Sequence, residues 1–322
     1  MLYDCTMQFR KIIKFGNNSF VISLPKSWIE QNKLKKGDTV QLDETGDDLH
    51  VLTKRPLTEE ATEIIIDIAN KDPDCIKREV TAAYINGHAT ITLLGKRSAE
   101  NEYALKKNLH SMIALEILEQ TETKMVARCF LNMKEISIEN SIRRMDNIIR
   151  SMFADTKKTM DEDNHQLIYI RDEDVNRLNF LSFRTIKFLL DNPNYAKSIN
   201  ISPQYALNMW QIVTNLESVA DQIKRIARDI HKSKMSSGQK KDFLEIFKRI
   251  DKHYTETMTC FYKKNQQTGL VLANKKKGLV EGADGFFKKY LRTAYLPSVS
   301  DKLKTLILDI HKITRVVYGG AG

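Results

Sequence analysis

Two pairs of oxygen-bearing side chains stand one helical turn apart. Glu217 and Asp221 are four residues apart in a stretch whose apolar residues recur at close to 3.5-residue spacing, so a helix puts both carboxylates on one face. Asp172 and Asn176 repeat that spacing in an earlier segment. If the two helices face each other, four oxygen donors converge between them, a set that suits a hard or borderline cation. The same acids have a second reading as ion pairs: Asp221 has Arg225 one turn on, and Glu217 has bases such as Arg184 or Lys224 to pair with. A third set is basic. Arg10, Lys11 and Lys14 lead into Gly16-Asn17-Asn18, and Lys26 follows Pro25. Cations in a strand, with amides at its turn, are suited to phosphate and base contacts, whereas the same residues on a docking barrel are ordinary surface lysines. Lys outnumbers Arg there, which predicts modest sequence specificity.

Other chemistries find no footing. The seven histidines (His50, His88, His110, His165, His231, His253, His311) lack H-E-x-x-H spacing, and no Ser or Cys has a nucleophile context. His231 and His311 are read as helix-ending residues facing the dipole. No G-x-G-x-x-G or P-loop is present, so the expectation is a protein that is not an enzyme. Cys5, Cys75, Cys129 and Cys260 are far apart, which argues against a disulfide framework and for a reducing cytoplasm. No apolar run approaches a membrane span, and residues 1–10 lack a signal peptide's core.

The elements that must position these residues fall into three zones. Residues 1–55 read as ββαββ: strands at 8–15 and 19–24 about the Gly16 turn, a helix at 25–32 opened by Pro25, and a hairpin of 39–42 with 49–52. A unit this small rarely holds itself together, so it is expected to pair with a second copy. Residues 56–132 read as a βαβαββ module: strand 63–68, helix 73–86 ended by Gly87, strand 89–94, a helix capped by Ser98, and a hairpin of 114–118 with 124–131. Residues 133–322 read as all helix, at 136–160, 172–191, 202–232, 239–265, 271–291 and 299–318, with Pro193, Pro203 and Pro297 between helices. They divide into two three-helix units, about 133–235 and 236–322. The tetrapeptide Asp-Ile-His-Lys at 229–232 and again at 309–312 hints at duplication.

Two resemblances sharpen this reading. The string from Arg10 to Ser19, the run Phe20 to Pro25, and Leu34-Lys35-Lys36-Gly37-Asp38-Thr39-Val40 resemble the AbrB/SpoVT swapped-hairpin DNA-binding domain. That resemblance implies a small interlocked β-barrel, a homodimer through residues 1–55, and DNA as partner, with Arg10, Lys11, Lys14, Asn17, Asn18 and Lys26 on its DNA face. The segments from Asp172 to Leu178 and from Leu216 to Ile223 resemble the D-x-x-V-N/D and E-x-x-x-D motifs of the PhoU family of phosphate-uptake regulators. Head, α/β middle and helical tail together resemble the archaeal phosphate-uptake-regulator fusions. The resemblance implies a cytoplasmic, dimeric regulator of transcription in phosphate homeostasis, with a metal ion (iron, zinc, manganese or magnesium) at Asp172, Asn176, Glu217 and Asp221. It also implies phosphate transporter subunits as partners, which leaves an adaptor acting by protein contact alone as an alternative. The sequence has Asn179 where the family often has a further acid. Its second half offers Asp309 and Thr314, and Glu281 and Asp284, without the full motif, so one metal site at most is expected, in the first half.

The charge is unevenly placed. The 322 residues carry a formal net charge of +10. Residues 231–322 hold 19 Lys and Arg against 8 Asp and Glu, a surplus of eleven that leaves residues 1–230 at −1. Residues 1–36 hold seven bases against two acids, offset by acids in the hairpin that follows. The second helical half is therefore expected to face an acidic partner: a DNA flank, a transporter or a membrane surface.

Overall fold

The computed structural model describes residues 8–45, 47–53, 62–96, 99–159, 164–233 and 235–320. Cys5, Ser98 and the expected boundary at 55/56 lie outside them. Two compact units divide the chain, Met1–Glu60 and Ala61–Gly322.

In the first unit, β1 (Ile13–Phe15) pairs antiparallel with β2 (Ser19–Val21), with Phe15 opposite Ser19. Gly16 takes a left-handed φ of 69° in the turn between them, a conformation that glycine adopts without strain. Pro25 stands as the N-cap of α1 (Lys26–Gln31), one place earlier than the helix-opening role expected of it. Then β3 (Val40–Thr45) and β4 (Asp48–Thr53) form the second hairpin. The ββαββ order is as read. The first two strands are shorter than 8–15 and 19–24, because nothing within the hairpin lies beyond the paired residues to extend the ladder. Arg10 therefore precedes β1 and does not share a strand face with Lys14. No described residue from 8 to 53 is buried. Phe9 is 89% exposed, and Ile12, Phe15 and Phe20 are also open to solvent.

The second unit opens with the α/β module: β5 (Glu63–Asp67), α2 (Pro73–Ile85), β6 (Thr90–Leu94), α3 (Ala99–His110), β7 (Leu115–Gln120) and β8 (Lys124–Cys129). The sheet order is β5-β6-β8-β7; β5 and β6 are parallel and the remaining pairs antiparallel. Asp72 caps α2 by accepting from the Cys75 amide at 2.9 Å, with Pro73 at the first helical position, where its missing N–H costs nothing. Val80, Tyr84, Ile91, Leu93 and Met125 fill the module's core.

The helices α4 (Ile138–Lys158), α5 (His165–Asp191), α6 (Pro193–Ser198), α7 (Pro203–Ser233), α8 (Ser237–Tyr262), α9 (Gln266–Tyr290) and α10 (Leu296–Tyr318) complete the unit. One core runs through both halves of the bundle, from Ile142 and Ile149 through Leu216 and Ile223 to Phe247, Leu303 and Ile310. Asp146 on α4 ties the halves: it accepts from the hydroxyls of Tyr254 (2.8 Å) and Tyr262 (3.0 Å) on α8 and from Arg150 Nε (2.9 Å). A capping box at Ser236 and Gln239 opens α8.

Three details differ from the sequence reading. Helix α5 starts at His165 rather than 172, because no Gly or Pro breaks the chain between them. Pro193, read as a spacer, opens the short α6, for which its φ is pre-set. The repeated tetrapeptide does not mark equivalent places: Asp229 lies one turn from the end of α7, whereas Asp309 lies more than two turns from the end of α10. His311 is thus inside α10 and not at its end, a correction to the capping role. His231 does lie in the last turn of α7, its ring stacked on His165 at 4.1 Å.

Module and bundle meet at α5. Arg184, among the least exposed charged residues, donates from Nη1 to the carbonyls of Tyr84 and His88 and from Nη2 to that of Gly87, and lies over the Tyr84 ring. Of these carbonyls, that of Tyr84 also accepts from the Gly87 amide at 3.1 Å, and a cation at the end of α2 meets the negative end of the helix dipole. No helix among the described residues is long and apolar enough to cross a membrane.

Candidate functional site: a carboxylate–lysine cleft and a basic head strand

A cleft of about 960 Å³ opens between α2 and α3 of the module and α5 and α7 of the bundle. Asp172, Asn176, Glu217 and Lys224 all line it. Asp172 lies two turns into α5, on the side that meets α7. Its Oδ2 accepts from Lys224 Nζ at 2.6 Å and from Asn176 Nδ2 at 3.2 Å. The same ammonium reaches Asp221 Oδ1 at 2.9 Å, and Asp221 Oδ2 takes Arg225 Nε at 2.7 Å. A cation does sit between the two helices, and it is the ammonium of Lys224. The four residues expected around a metal are thus neighbours. Among the described residues, however, no three His, Cys, Asp or Glu side chains are grouped so as to hold an ion.

Burial and pairing set the protonation balance. Burial raises the Asp172 carboxyl against the pull of Lys224. Burial also raises Glu217, and the nearby charges of Asp221 and Asp172 push the same way. For Lys224, burial works against the charge, but the hydrogen bonds to Asp172 and Asp221 outweigh it and its pKa is raised. Tyr169 offers its ring to the same ammonium, 5.4 Å away. Arg184, named as a partner for Glu217, is instead spent on α2. Lys224 was legible: it stands three residues after Asp221 and seven after Glu217, on the same helical face.

Two further groups line the cleft: Asn179, which the sequence reading singled out, and Asn108, which carries no sequence signal. Asn108 on α3 and Asn179 on α5 are both more than nine-tenths buried, and the side-chain oxygen of each has no hydrogen-bond partner among the described residues. Asn108 does donate from Nδ2 to the Lys77 carbonyl at 3.4 Å. Lys107 and Glu173 bridge the two walls at 3.2 Å.

The acids of the second half are dispersed. Asp309 pairs with Lys312 at 2.8 Å, Asp284 with Lys304 at 2.9 Å, and exposed Glu281 lies 4.0 Å from Lys277. Thr314 meets Thr257 at 3.3 Å.

In the head, Arg10, Lys11, Lys14, Asn17, Asn18 and Lys26 are all exposed. Lys14 stands opposite Phe20 on β1, Asn17 and Asn18 form the turn, and Lys26 opens α1, 3.6 Å from Glu30. Among the described residues Arg10 reaches its neighbours, donating to Gln8 Oε1 at 2.6 Å and the Phe9 carbonyl.

Residues 142–230, from the first turns of α4 to the end of α7, match the family model of the PhoU domain. The chain carries a PhoU domain. Its matched span holds Asp172, Asn176, Glu217, Asp221 and Lys224, and stops short of α8, α9 and α10. Residues 13–59 match the model of the MazE antitoxin, an antidote-toxin recognition family, which agrees with the AbrB-like reading of the head. No curated protein and no solved structure matches the chain. The two matches support a role in phosphate regulation.

Proposed function

We propose that this protein is a cytoplasmic, dimeric, non-enzymatic transcription regulator. Its head binds DNA, and its PhoU domain couples phosphate status to phosphate transport genes. The observation that carries the reading is a head with no described buried residue, joined to a PhoU domain. An exposed apolar set of Phe9, Ile12, Phe15 and Phe20 cannot stay in water as a stable fold, so a second copy is the occupant that supplies the core. Pairing two heads also doubles the basic strand. With three cations from each copy on phosphates, the logarithm of DNA affinity should fall with log salt with a slope of about −5. Salt-titrated binding to promoter DNA, with Arg10, Lys11 and Lys14 all changed to Glu as control, tests it. Binding without a salt slope, or binding that survives the reversal, refutes the DNA role.

The adaptor reading, docking by protein contact on transporter subunits, is favoured by the basic surplus of residues 231–322. It predicts that the same charge reversal leaves transporter docking and regulation intact. A metal remains part of the proposal in one form: iron, zinc, manganese or magnesium would have to compete with the Lys224 ammonium for Asp172, Asn176, Glu217 and Asp221.

A further inference from the structure

Helices α8 and α9 enclose a second cavity, of about 350 Å³, beyond the span matched by the PhoU domain. His253 lines it, only 2% exposed, and neither ring nitrogen has a hydrogen-bond partner among the described residues. A buried imidazole left unsatisfied on both sides is costly, and a native structure keeps such a group where something else completes it. The surroundings say what sign that something has. Arg249 and Lys252 from α8 and Lys275 from α9 line the cavity, against one acid, Glu256. Glu256 is already bound to Lys275 at 2.7 Å. His311 on α10 also acts on the His253 ring and brings no negative charge. Glycines at 278 and 282, one turn apart on α9, leave room for the Arg249 guanidinium: Nη2 donates to the Gly278 carbonyl at 3.3 Å, and Nη1 lies against the place a Gly282 side chain would fill.

We propose that this cavity binds a small phosphoryl-type oxyanion, with Arg249 and Lys252 supplying the charge beside the Lys275–Glu256 pair, and His253 the directed hydrogen bonds. A metal fits poorly, because Arg249 and Lys252 repel it and the carboxylate nearby is taken. A folded partner is too large for the volume. Burial first, and then Lys275, push His253 down to about 4, so the ring is neutral near pH 7. A neutral imidazole offers one N–H donor and one acceptor nitrogen. Protonated forms of phosphate carry both acceptor oxygens and a P–OH donor, whereas sulfate carries acceptors alone. The site therefore favours phosphate over sulfate. The inference rests on its own cavity and not on the DNA reading.

Calorimetric titration of the full chain with inorganic phosphate, and separately with pyrophosphate, tests the proposal. The His253 ring signal is followed by NMR and assigned by its loss in His253→Asn. Saturable binding at millimolar Kd or tighter is expected, with movement of the His253 signal. Arg249→Gln with Lys252→Gln, both exposed and so tolerated by the fold, should weaken it at least tenfold, and sulfate should bind about tenfold more weakly than phosphate. Three results overturn it: no saturation by either probe up to about 10 mM, equal binding by the double variant, or equal binding of sulfate.

Discussion

Replacing Lys224 with Met keeps the side chain's length and removes its charge, which makes it a direct test of the cleft. Asp172, with a side chain 5% exposed, would keep only the Asn176 amide as donor. Asp221 would keep Arg225, and Glu217 would face Asp172 and Asp221 without the Lys224 charge. Breaking a buried pair by removing one partner costs roughly 3–5 kcal/mol. Lys224 is 19% exposed and one of its two partners has a substitute, so about 2–3 kcal/mol is the better figure here. In a unit of this size that lowers Tm by roughly 5–10 °C. The pH dependence has a definite sign. Asp172 and Glu217 have raised pKa values, so the folded state holds their protons more tightly than the unfolded chain does. Stability therefore improves as pH falls through those raised values. Lys224 acts the other way: its raised pKa gives stability that is complete below the unfolded value and lost as pH rises through the folded one. Without Lys224 the three acids repel one another more, which raises Asp172 and Glu217 further. The deficit of the variant should then shrink between pH 7 and about pH 5. Thermal unfolding of both proteins at the two pH values, each with and without magnesium or manganese, is the assay. A Tm loss at pH 7 under about 1 °C, or a deficit that grows on acidification, refutes the electrostatic account of the cleft. A metal that restores the variant but leaves the parent unchanged is the result expected if ion and ammonium compete for one place.

Arg184→Ala should cost about 3 kcal/mol, since it strips three carbonyls of a charged donor and removes the cation from the end of α2. The loss should be read as faster amide exchange in α2, and unchanged protection there refutes the docking role. Asp146→Ala leaves the Tyr254 and Tyr262 hydroxyls and Arg150 without their common acceptor, all at the α4–α8 contact. A loss of about 3–5 kcal/mol in chemical denaturation is expected, and a value under about 1 kcal/mol contradicts it.

Legibility in the sequence followed what each element depends on. Local patterns carried the element order: Asp72-Pro73 before α2, the Gly16 turn and the apolar spacing of α7 all act within a few residues. Helix starts were less secure, because α5 has no breaker to mark His165, and α6 hides behind a proline that serves equally as spacer or first residue. The cleft's acids were readable because one helical turn is a sequence distance. That Lys224 also holds Asp172 was not, since the two are 52 residues apart and only packing brings them together. Arg184 shows the same limit: its partners lie about a hundred residues away in the α/β module, and no spacing rule reaches them. His253 carries no motif, and its isolation from any partner is a property of the packed core alone.

The placement of charge gains a physical meaning from these contacts. Residues 1–230 are close to neutral, and the buried acids of the bundle's first half are answered internally, Asp172 and Asp221 by Lys224 and Arg225, and Asp146 by Arg150. The second half carries the surplus of eleven, and its ion pairs do not absorb it. Lys275, Lys277, Lys289 and Lys304 each meet an acid, yet Lys252 and Arg249 stand beside a cavity whose single carboxylate is committed. The two halves of one bundle thus differ in charge: acids paired with Lys224 and Arg225 in the first, and bases around one committed carboxylate in the second. One continuous core joins them, and α7 and α10 both contribute to it. Any ligand that shifts α8 against α9 therefore acts on the same packed interior that holds α7 in register with Asp172. Coupling of that kind is reciprocal: if phosphate in the second cavity changes metal affinity at the first, metal must change phosphate affinity by the same factor. Titrating each in the presence of the other measures that factor, and a factor of one would show that the two sites are not coupled.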